Sequence, residues 1–433
     1  MILTLKTQVN PSHTTQSSLW SISNNCVDIW NCGNEQRQYR SSFGKVNVYS
    51  QKKELTQLKK ENQEFKLPSS QVLQNVLFSL DRSYKMFFTK LKNGDKNVNR
   101  PRFKSKKYFF TQEYSQYNTS FIIENNIIKL AYGKNKKDWL EIPFLDSREL
   151  SNLSAKEKIK TLELYQDHIT KKWYVSITYE FKEIRYQKNK NSIYFDPGCK
   201  TALVGLTSQG EFFEYDINPL RKMNKSTYLY IDKLTSQRDL IKNKSKSSWG
   251  RLNKRIKKAY RKINTRTKMY LYTLANEILK DHPTINQFMI GNWKKQETLA
   301  DMGNEFANKR INRAVQNNNP LQKLIDYLSY KAKAIGKIVE KFDERGTTRT
   351  CSKCRKRHQN GVPVTQRTFK CIDTKDCSFQ YSRDHQSCLN FIYKFESALW
   401  KRLVGEDNLP TRSMRKTVSP FACKTQCYQT SII

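Results

Sequence analysis

Apolar and polar residues alternate along LTLKTQV, the period of a half-buried strand, and the alternation breaks at Pro11. The next ninety residues change period. In SSQVLQNVLFSLDRSYKMFFTKLKNG the apolar positions Val72, Val76, Leu77, Leu80, Tyr84, Phe87, Phe88 and Leu91 recur every three or four residues, which predicts an amphipathic helix stopped at Asn93-Gly94. From about 100 to 190 strand signals take over in NTSFIIENNIIKLAY, DWLEIPF and TLELYQDHITKKWYVSITYEF, the last predicting a hairpin around a polar turn. A lone strand, then helices, then more strands predicts a helical insertion into a small β-barrel.

The second half reads differently. SIYF runs into Asp196, turns through Pro197-Gly198 and returns as TALVGLTS, with Gln209-Gly210 as the following turn. Residues 217 to 283 predict long helices in which Leu252, Ile256, Tyr260, Ile263, Tyr270, Leu274 and Ile278 fall near one face. QFMIGNW is a short apolar strand, PLQKLIDYLSYKAKAIG a helix with Pro320 in its first turn, and KIVEKF a strand leading to Glu344. Parallel strands linked by helices form an α/β sheet, and ligands of such sheets gather at the carboxyl ends of the strands. The tail from 405 to 433, mixed polar text with Pro410, is expected to be peripheral or poorly ordered.

Composition adds a partner class. Lys plus Arg number 79 against 39 Asp plus Glu, a formal net charge of +40 over 433 residues, and an excess of that size is usually neutralised by a polyanion, nucleic acid first. The charge is concentrated: residues 241 to 270 carry twelve Lys or Arg and no Asp or Glu. Arg251, Lys254, Arg255, Lys257, Lys258, Arg261 and Lys262 in that stretch are candidate nucleic-acid contacts. So are Arg100, Arg102, Lys104, Lys106 and Lys107, ahead of the aromatic run YFF. A solvated helix face and an exposed linker are the plain alternatives for the two segments. The 23 Tyr, 22 Phe and 7 Trp could stack on unpaired bases, although most aromatics serve a core. No run approaches the roughly 20 apolar residues of a membrane span, and the start lacks a basic region followed by an apolar one, so a cytoplasmic location without membrane partners is expected.

In a reducing compartment the ten cysteines are free for other chemistry. Cys351 and Cys354 form a C-x2-C knuckle, and Cys371 and Cys377 form a looser pair after sixteen intervening residues, the spacing of a tetrahedral Zn²⁺ ribbon. His358 or His385 could replace one ligand, but the four cysteines are the better set. Cys26, Cys32, Cys199, Cys388, Cys423 and Cys427 read as ordinary thiols. Asp196, Glu344 and Asp384 are the carboxylates chosen as ligands for two Mg²⁺ ions, a hard cation that prefers oxygen. Two such ions can activate a water and stabilise the leaving 3′ oxygen of a phosphodiester. Taken alone, an Asp before Pro-Gly is also a common turn initiator.

FDPG at Asp196, DERGTTRTCSKC around Glu344 and YSRDHQSCLNFI around Asp384 resemble the RuvC-type motifs and zinc ribbon of the TnpB (OrfB) family. Members of that family are transposon-encoded, RNA-guided DNA endonucleases related to the compact type V CRISPR effectors. LPSSQVLQNVLFSLDRSYKMFFTKLKNG and RPRFKSKK resemble its N-terminal half, so the resemblance covers most of residues 70 to 395. It implies an α/β multidomain chain. The wedge β-barrel takes 1 to 10 and 101 to 190, and the inserted helical recognition bundle takes 11 to 100. An RNase H-like RuvC nuclease domain takes 191 to 346 and 379 to 404, with the zinc ribbon inserted at 347 to 378. The resemblance further implies two catalytic Mg²⁺ ions, a structural Zn²⁺, an omega-type guide RNA, target DNA, a bacterial nucleoid setting and a phosphate contact from Arg383.

One departure matters. Many members carry a second catalytic Glu where this chain has Gly291 and Asn292, while other branches use a displaced glutamate before the ribbon, the place of Glu344. The resemblance therefore implies RNA-guided cleavage of DNA with Glu344 as the second acid. A nuclease-inactive, RNA-guided repressor and a transposase joining strands without RNA are the alternatives.

Overall fold

The computed structural model describes residues 2–39, 46–133, 138–144, 158–180, 184–186, 191–198, 201–244, 247–292, 320–359, 362, 366–373, 375–410 and 412–418. Cys199, Cys423 and Cys427 lie outside the described residues. The chain divides into two compact units, Met1–Lys182 and Glu183–Ile433. No helix among the described residues is long and apolar enough to cross a membrane.

In the first unit β1 (Ile2–Val9) is followed by three helices, α1 (His13–Tyr39), α2 (Val48–Glu61) and α3 (Ser70–Lys92). Six strands follow: β2 (Gln112–Tyr114), β3 (Phe121–Glu124), β4 (Ile127–Tyr132), β5 (Asp138–Pro143), β6 (Lys158–Gln166) and β7 (Trp173–Glu180). They form two antiparallel sheets, β1-β7-β6-β2 and β3-β4-β5, with one bridge between Val9 and Phe144. Both sheets and the helices share one apolar core. α3 enters it through Val72, Leu73, Val76, Leu77, Leu80 and Tyr84, whereas Phe88 and Leu91 are 58% and 51% exposed. The apolar stripe of α3 thus runs on past the core it covers, and the last residues of the predicted face are solvated.

The second unit is organised on a six-stranded sheet. It contains β8 (Ser192–Pro197), β9 (Leu203–Thr207), β10 (Phe212–Tyr215), helices α4 (Asn218–Asp239) and α5 (Ser247–Asp281), β11 (Gln287–Gly291), α6 (Leu321–Ala334) and β12 (Ile338–Phe342). The hairpin β13 (Thr368–Lys370) and β14 (Gln380–Ser382), helix α7 (Arg383–Phe395) and β15 (Ser413–Lys416) follow. Sheet order is β12-β11-β8-β9-β10-β15. β8, β11 and β12 run parallel, whereas β8, β9 and β10 form an antiparallel meander, so the sheet is mixed.

Alternation on β8 decides what covers each face, because successive side chains point to opposite sides of a strand. Ile193 and Phe195 join Phe288, Tyr270, Leu274, Ile278, Leu324 and Leu328 in the core beneath α5 and α6. Tyr194 joins Val204, Leu206, Phe212, Leu389, Phe391 and the cysteines of the knuckles on the opposite face, beneath α7.

Two expectations change here. Tyr260 is 45% exposed, and Ala259 takes its place beside Ile256 and Ile263 against Ile231 and Leu234 of α4. The tail is not wholly peripheral: Ser413–Lys416 pairs in parallel with β10, from Phe212↔Ser413 to Tyr215↔Lys416. Arg415 reaches the buried carboxylate of Asp216 at 2.7 Å, and Lys416 reaches Asp281 at 3.3 Å. SMRK carries no apolar alternation because it is an edge strand whose anchors are charged.

Candidate functional site

β8, β11 and β12 are parallel neighbours, so their carboxyl ends lie on one edge of the sheet. Asp196 sits at the end of β8, Gly291 ends β11, and Glu344 stands two residues beyond β12. The turn carrying Glu344 is closed by Thr347, whose backbone N and Oγ1 donate to the Glu344 carbonyl at 3.2 and 2.7 Å. Asp384 occupies the first turn of α7, one residue after Arg383.

The decisive relation lies between Glu344 and Gly291. A Cβ at position 291 would stand 2.0 Å from Glu344 Oε2, 3.2 Å from Glu344 Cδ and 3.1 Å from Pro197 Cδ. Real Cβ atoms never approach an oxygen that closely, so the Glu344 carboxylate fills the space where a side chain of residue 291 would begin. A glycine at the end of β11 is what lets a glutamate from beyond the neighbouring strand lie there.

Asp196 reports the resulting electrostatics. Burial pushes its carboxyl well above the ordinary carboxylate range, and the negative charges of Glu344 and then Asp384 push it further. Arg383 and the Ser387 side chain pull in the other direction. Arg383 in turn is held below its usual value by burial, with Asp384 and Asp196 opposing. Three acids thus converge with Arg383 beside them and Arg367 next to Arg383, a local negative excess suited to divalent cations held through oxygen.

Sequence reasoning missed Ser387 and Cys388 as site residues. Ser387 supports Asp196, and the buried Cys388 thiol donates to the Val204 carbonyl at 3.3 Å, one strand away from Asp196. The available signal was their spacing of three and four from Asp384, which places all three on one helical face.

A sign follows for pH. A carboxyl raised in the folded state favours folding in its protonated form, so without divalent cations stability is greatest below the ordinary carboxylate range and falls as pH rises through the raised value. Asp196→Asn is therefore expected to raise the neutral-pH melting temperature by about 2–8 °C in magnesium-free, zinc-retaining buffer. The gain should shrink as pH is lowered, and thermal denaturation at several pH values checks it.

The four cysteines meet as the spacing predicts. The sulfurs of Cys351, Cys354, Cys371 and Cys377 all lie within 4.8 Å of one another, with Cys351–Cys377 at 3.8 Å and Cys354–Cys371 at 3.5 Å. Tetrahedral Zn²⁺ with bonds near 2.3 Å requires sulfur separations of about 3.8 Å, so the set fits a structural zinc. The Asp373 N–H points at Cys371 Sγ from 3.4 Å, and the five-residue gap to Cys377 closes through Cys377 N to Asp373 O at 3.0 Å. His358 bonds the Lys370 carbonyl and His385 bonds Glu214, both at 3.0 Å, so both rings are engaged away from the sulfurs.

The knuckles are tied to the helix of Asp384. Asn390 Nδ2 donates to the carbonyls of Thr347 and Thr350 at 2.6 and 2.7 Å, Gln386 Nε2 donates to Thr350, and Ser352 Oγ donates to the Gln386 carbonyl at 3.2 Å. The chain between Glu344 and the first cysteine pair is thus laced onto α7.

The two basic segments lie in different units. In the first, Trp30, Asn31 and Asn34 of α1 hold the backbone carbonyls of Arg102, Lys104 and Pro101, each at 3.0 Å, while Arg100, Arg102, Lys104, Lys106 and Lys107 are exposed. Lys106 is paired with Asp28 at 2.8 Å. In the second, Arg251, Lys254, Arg255, Lys257, Lys258 and Lys262 are exposed on α5, Arg261 is half-buried, and Arg255 donates to the Tyr230 hydroxyl.

Residues 322–391, from α6 through the knuckles and Asp384, match the family model "Cas12f1-like, TNB domain". The TnpB-like proteins L79 and L770 of Acanthamoeba polyphaga mimivirus are each 23% identical over 236 residues, covering 54% of this chain. In sequence the chain is similar to these TnpB-like proteins. The matched segment spans only 43% of the length of those two viral proteins. Likeness to solved structures extends further. The protein in the cryo-EM structure of a Cas12f1–sgRNA–target DNA complex superposes with a TM-score of 0.58 at 14% identity, over 90% of this chain and 98% of that one. The mini-RNA-guided endonuclease CRISPR-Cas_phi3 does so with 0.53 at 9%, over 89% and 90%. At such identities the likeness is one of fold, an α/β multidomain architecture with mixed sheets.

Proposed function

We propose that the protein is an RNA-guided DNA endonuclease of a transposable element, cleaving target DNA by two-metal-ion phosphodiester hydrolysis. The observation that carries this reading is the Glu344 carboxylate lying over Gly291 beside Pro197, where many TnpB members place their second acid. The strand order β10-β9-β8-β11-β12, an antiparallel meander continued by two parallel strands, supports an RNase H-like RuvC domain. Helices inserted between β1 and β2 support a wedge domain with a recognition bundle.

Asp196, Glu344 and Asp384 would hold two Mg²⁺ ions, which when bound activate the attacking water and stabilise the leaving 3′ oxygen. Ser387 favours the charged form of Asp196, and Arg383 would contact the scissile phosphate. Cys351, Cys354, Cys371 and Cys377 would hold a structural Zn²⁺. The basic residues of the 100–107 connector and of α5 are suited to phosphate backbones of guide RNA and target DNA, leaving sequence to base pairing.

Gly291 favours a second reading, an RNA-guided binder without nuclease activity that represses transcription. One experiment separates the two. The protein is purified, its bound RNA sequenced, and the complex incubated with matched and mismatched DNA with and without Mg²⁺. Discrete RNA and Mg²⁺-dependent cutting of the matched target alone are expected. Matched binding without cutting selects the repressor, and an absence of discrete RNA overturns both.

A further inference from the structure

We propose that His385 and Glu214 are positioning residues that set the first turn of α7, and so Asp384, against the sheet; the proposal rests on Asp384 being a metal ligand. Asp196 on β8 pairs with Val204 on β9, and Val204 pairs with Glu214 on β10, so the three form one row across the sheet. Residues directly opposite in antiparallel strands point to the same face. That face is the one covered by α7.

The helix meets this row at each of its three places. Ser387, whose Oγ donates to the Arg383 carbonyl at 3.3 Å, stands close enough to Asp196 to favour its charged form, the Cys388 thiol donates to the Val204 carbonyl at 3.3 Å, and His385 Nε2 lies 3.0 Å from Glu214 Oε1. The His385 ring also stacks on Phe212, centroids 4.4 Å apart at 28°. Only 16% of the His385 side chain and 18% of that of Glu214 are exposed, so the pair is a packed contact. Glu214 Oε1 is held from the other side by Ser413 Oγ at 2.9 Å, which brings the C-terminal strand into the same arrangement.

Contacts at two places along one row fix a helix against rotation about its axis far better than a contact at one. Cys388 anchors the helix at Val204, in the middle of the row; His385 supplies the Glu214 end. Since His385 directly follows Asp384, loosening it lets the Asp384 carboxylate swing relative to Asp196.

The test compares His385→Phe, which keeps a stacking ring without the polar contact, with His385→Gln, whose amide can stand in for Nε2. Asp384→Ala is the reference, and Mn²⁺ binding to the RNA-bound protein is read by electron paramagnetic resonance beside cleavage against Mg²⁺ concentration. His385→Phe is expected to weaken Mn²⁺ binding and raise the half-saturating Mg²⁺ about tenfold, in the range of supporting-shell substitutions, with the rate at saturating Mg²⁺ near the parent's. His385→Gln should restore most of the affinity. If His385→Phe binds Mn²⁺ like the parent while Asp384→Ala does not, the positioning role is overturned. If Asp384→Ala itself binds Mn²⁺ and cleaves like the parent, the underlying ligand assignment has failed instead. Should His385→Phe not fold, Glu214→Gln is judged by the same two measurements.

Discussion

Glu344→Ala is expected to lower target cleavage at least about 10³-fold, the scale of several kcal/mol of lost metal and transition-state stabilisation, while leaving RNA-dependent DNA binding within about threefold. The sharper test is relocation. Gly291→Glu alone should also lower cleavage, because its Cβ drives the Glu344 carboxylate from its place. The double substitution Gly291→Glu with Glu344→Ala empties that space and offers a carboxylate from the end of β11. The backbone permits it: Gly291 is not among the glycines with positive φ, so glutamate there is opposed by Glu344 and by the Pro197 contact at 3.1 Å, not by its own conformation. The double variant is expected to recover at least about tenfold over Glu344→Ala, a relocated ligand having tight geometric limits. Cleavage by Glu344→Ala at the parent's rate would sink the assignment.

The residues that made these elements legible are those whose period meets a core directly. Val72 through Tyr84 on α3, SIYF on β8 and the α6 stripe are local patterns that tertiary packing keeps. Cysteine spacing carried the knuckle because metal geometry leaves few ways to gather four sulfurs. Period says less about where a core stops, so Phe88, Leu91 and Tyr260 fall outside it. β15 was hidden for a related reason: charged anchors and backbone pairing hold it, and neither has a period. In the site, Asp196, Glu344 and Asp384 could be chosen from sequence, and Glu344 could be read as replacing the acid absent at Gly291, but the fit of its carboxylate into the space beside Gly291 could not. It joins positions 53 residues apart through parallel strands and a turn, and it depends on the absence of a side chain. His385, Ser387 and Cys388 form a row only after β8, β9 and β10 are paired.

Replacing Cys354 by serine is expected to release the zinc, lower the melting temperature and reduce cleavage at least about 100-fold, although no thiolate takes part in phosphodiester chemistry. Structural Zn²⁺ binding is worth on the order of 10 kcal/mol of folding free energy, so a zinc-free ribbon loses its main internal restraint. That restraint reaches the acids through the backbone. Thr347 closes the Glu344 turn, its carbonyl accepts from Asn390 on α7, and Thr350, adjoining Cys351, accepts from Asn390 and Gln386. Asn390→Ala separates the two contributions. It leaves the four sulfurs intact but takes the Asn390 donor from the Thr347 carbonyl and leaves Thr350 that of Gln386, a cost of about 1–3 kcal/mol. Metal analysis should find zinc retained in Asn390→Ala and lost in Cys354→Ser, with cleavage reduced in both. A zinc-free Cys354→Ser that melts and cleaves like the parent would show that the knuckle is an appendage. Loss of cleavage in Asn390→Ala with zinc in place would locate the coupling in the contacts of Asn390, which reach Thr347 and Thr350 after the Glu344 turn and Arg355 beside Cys354.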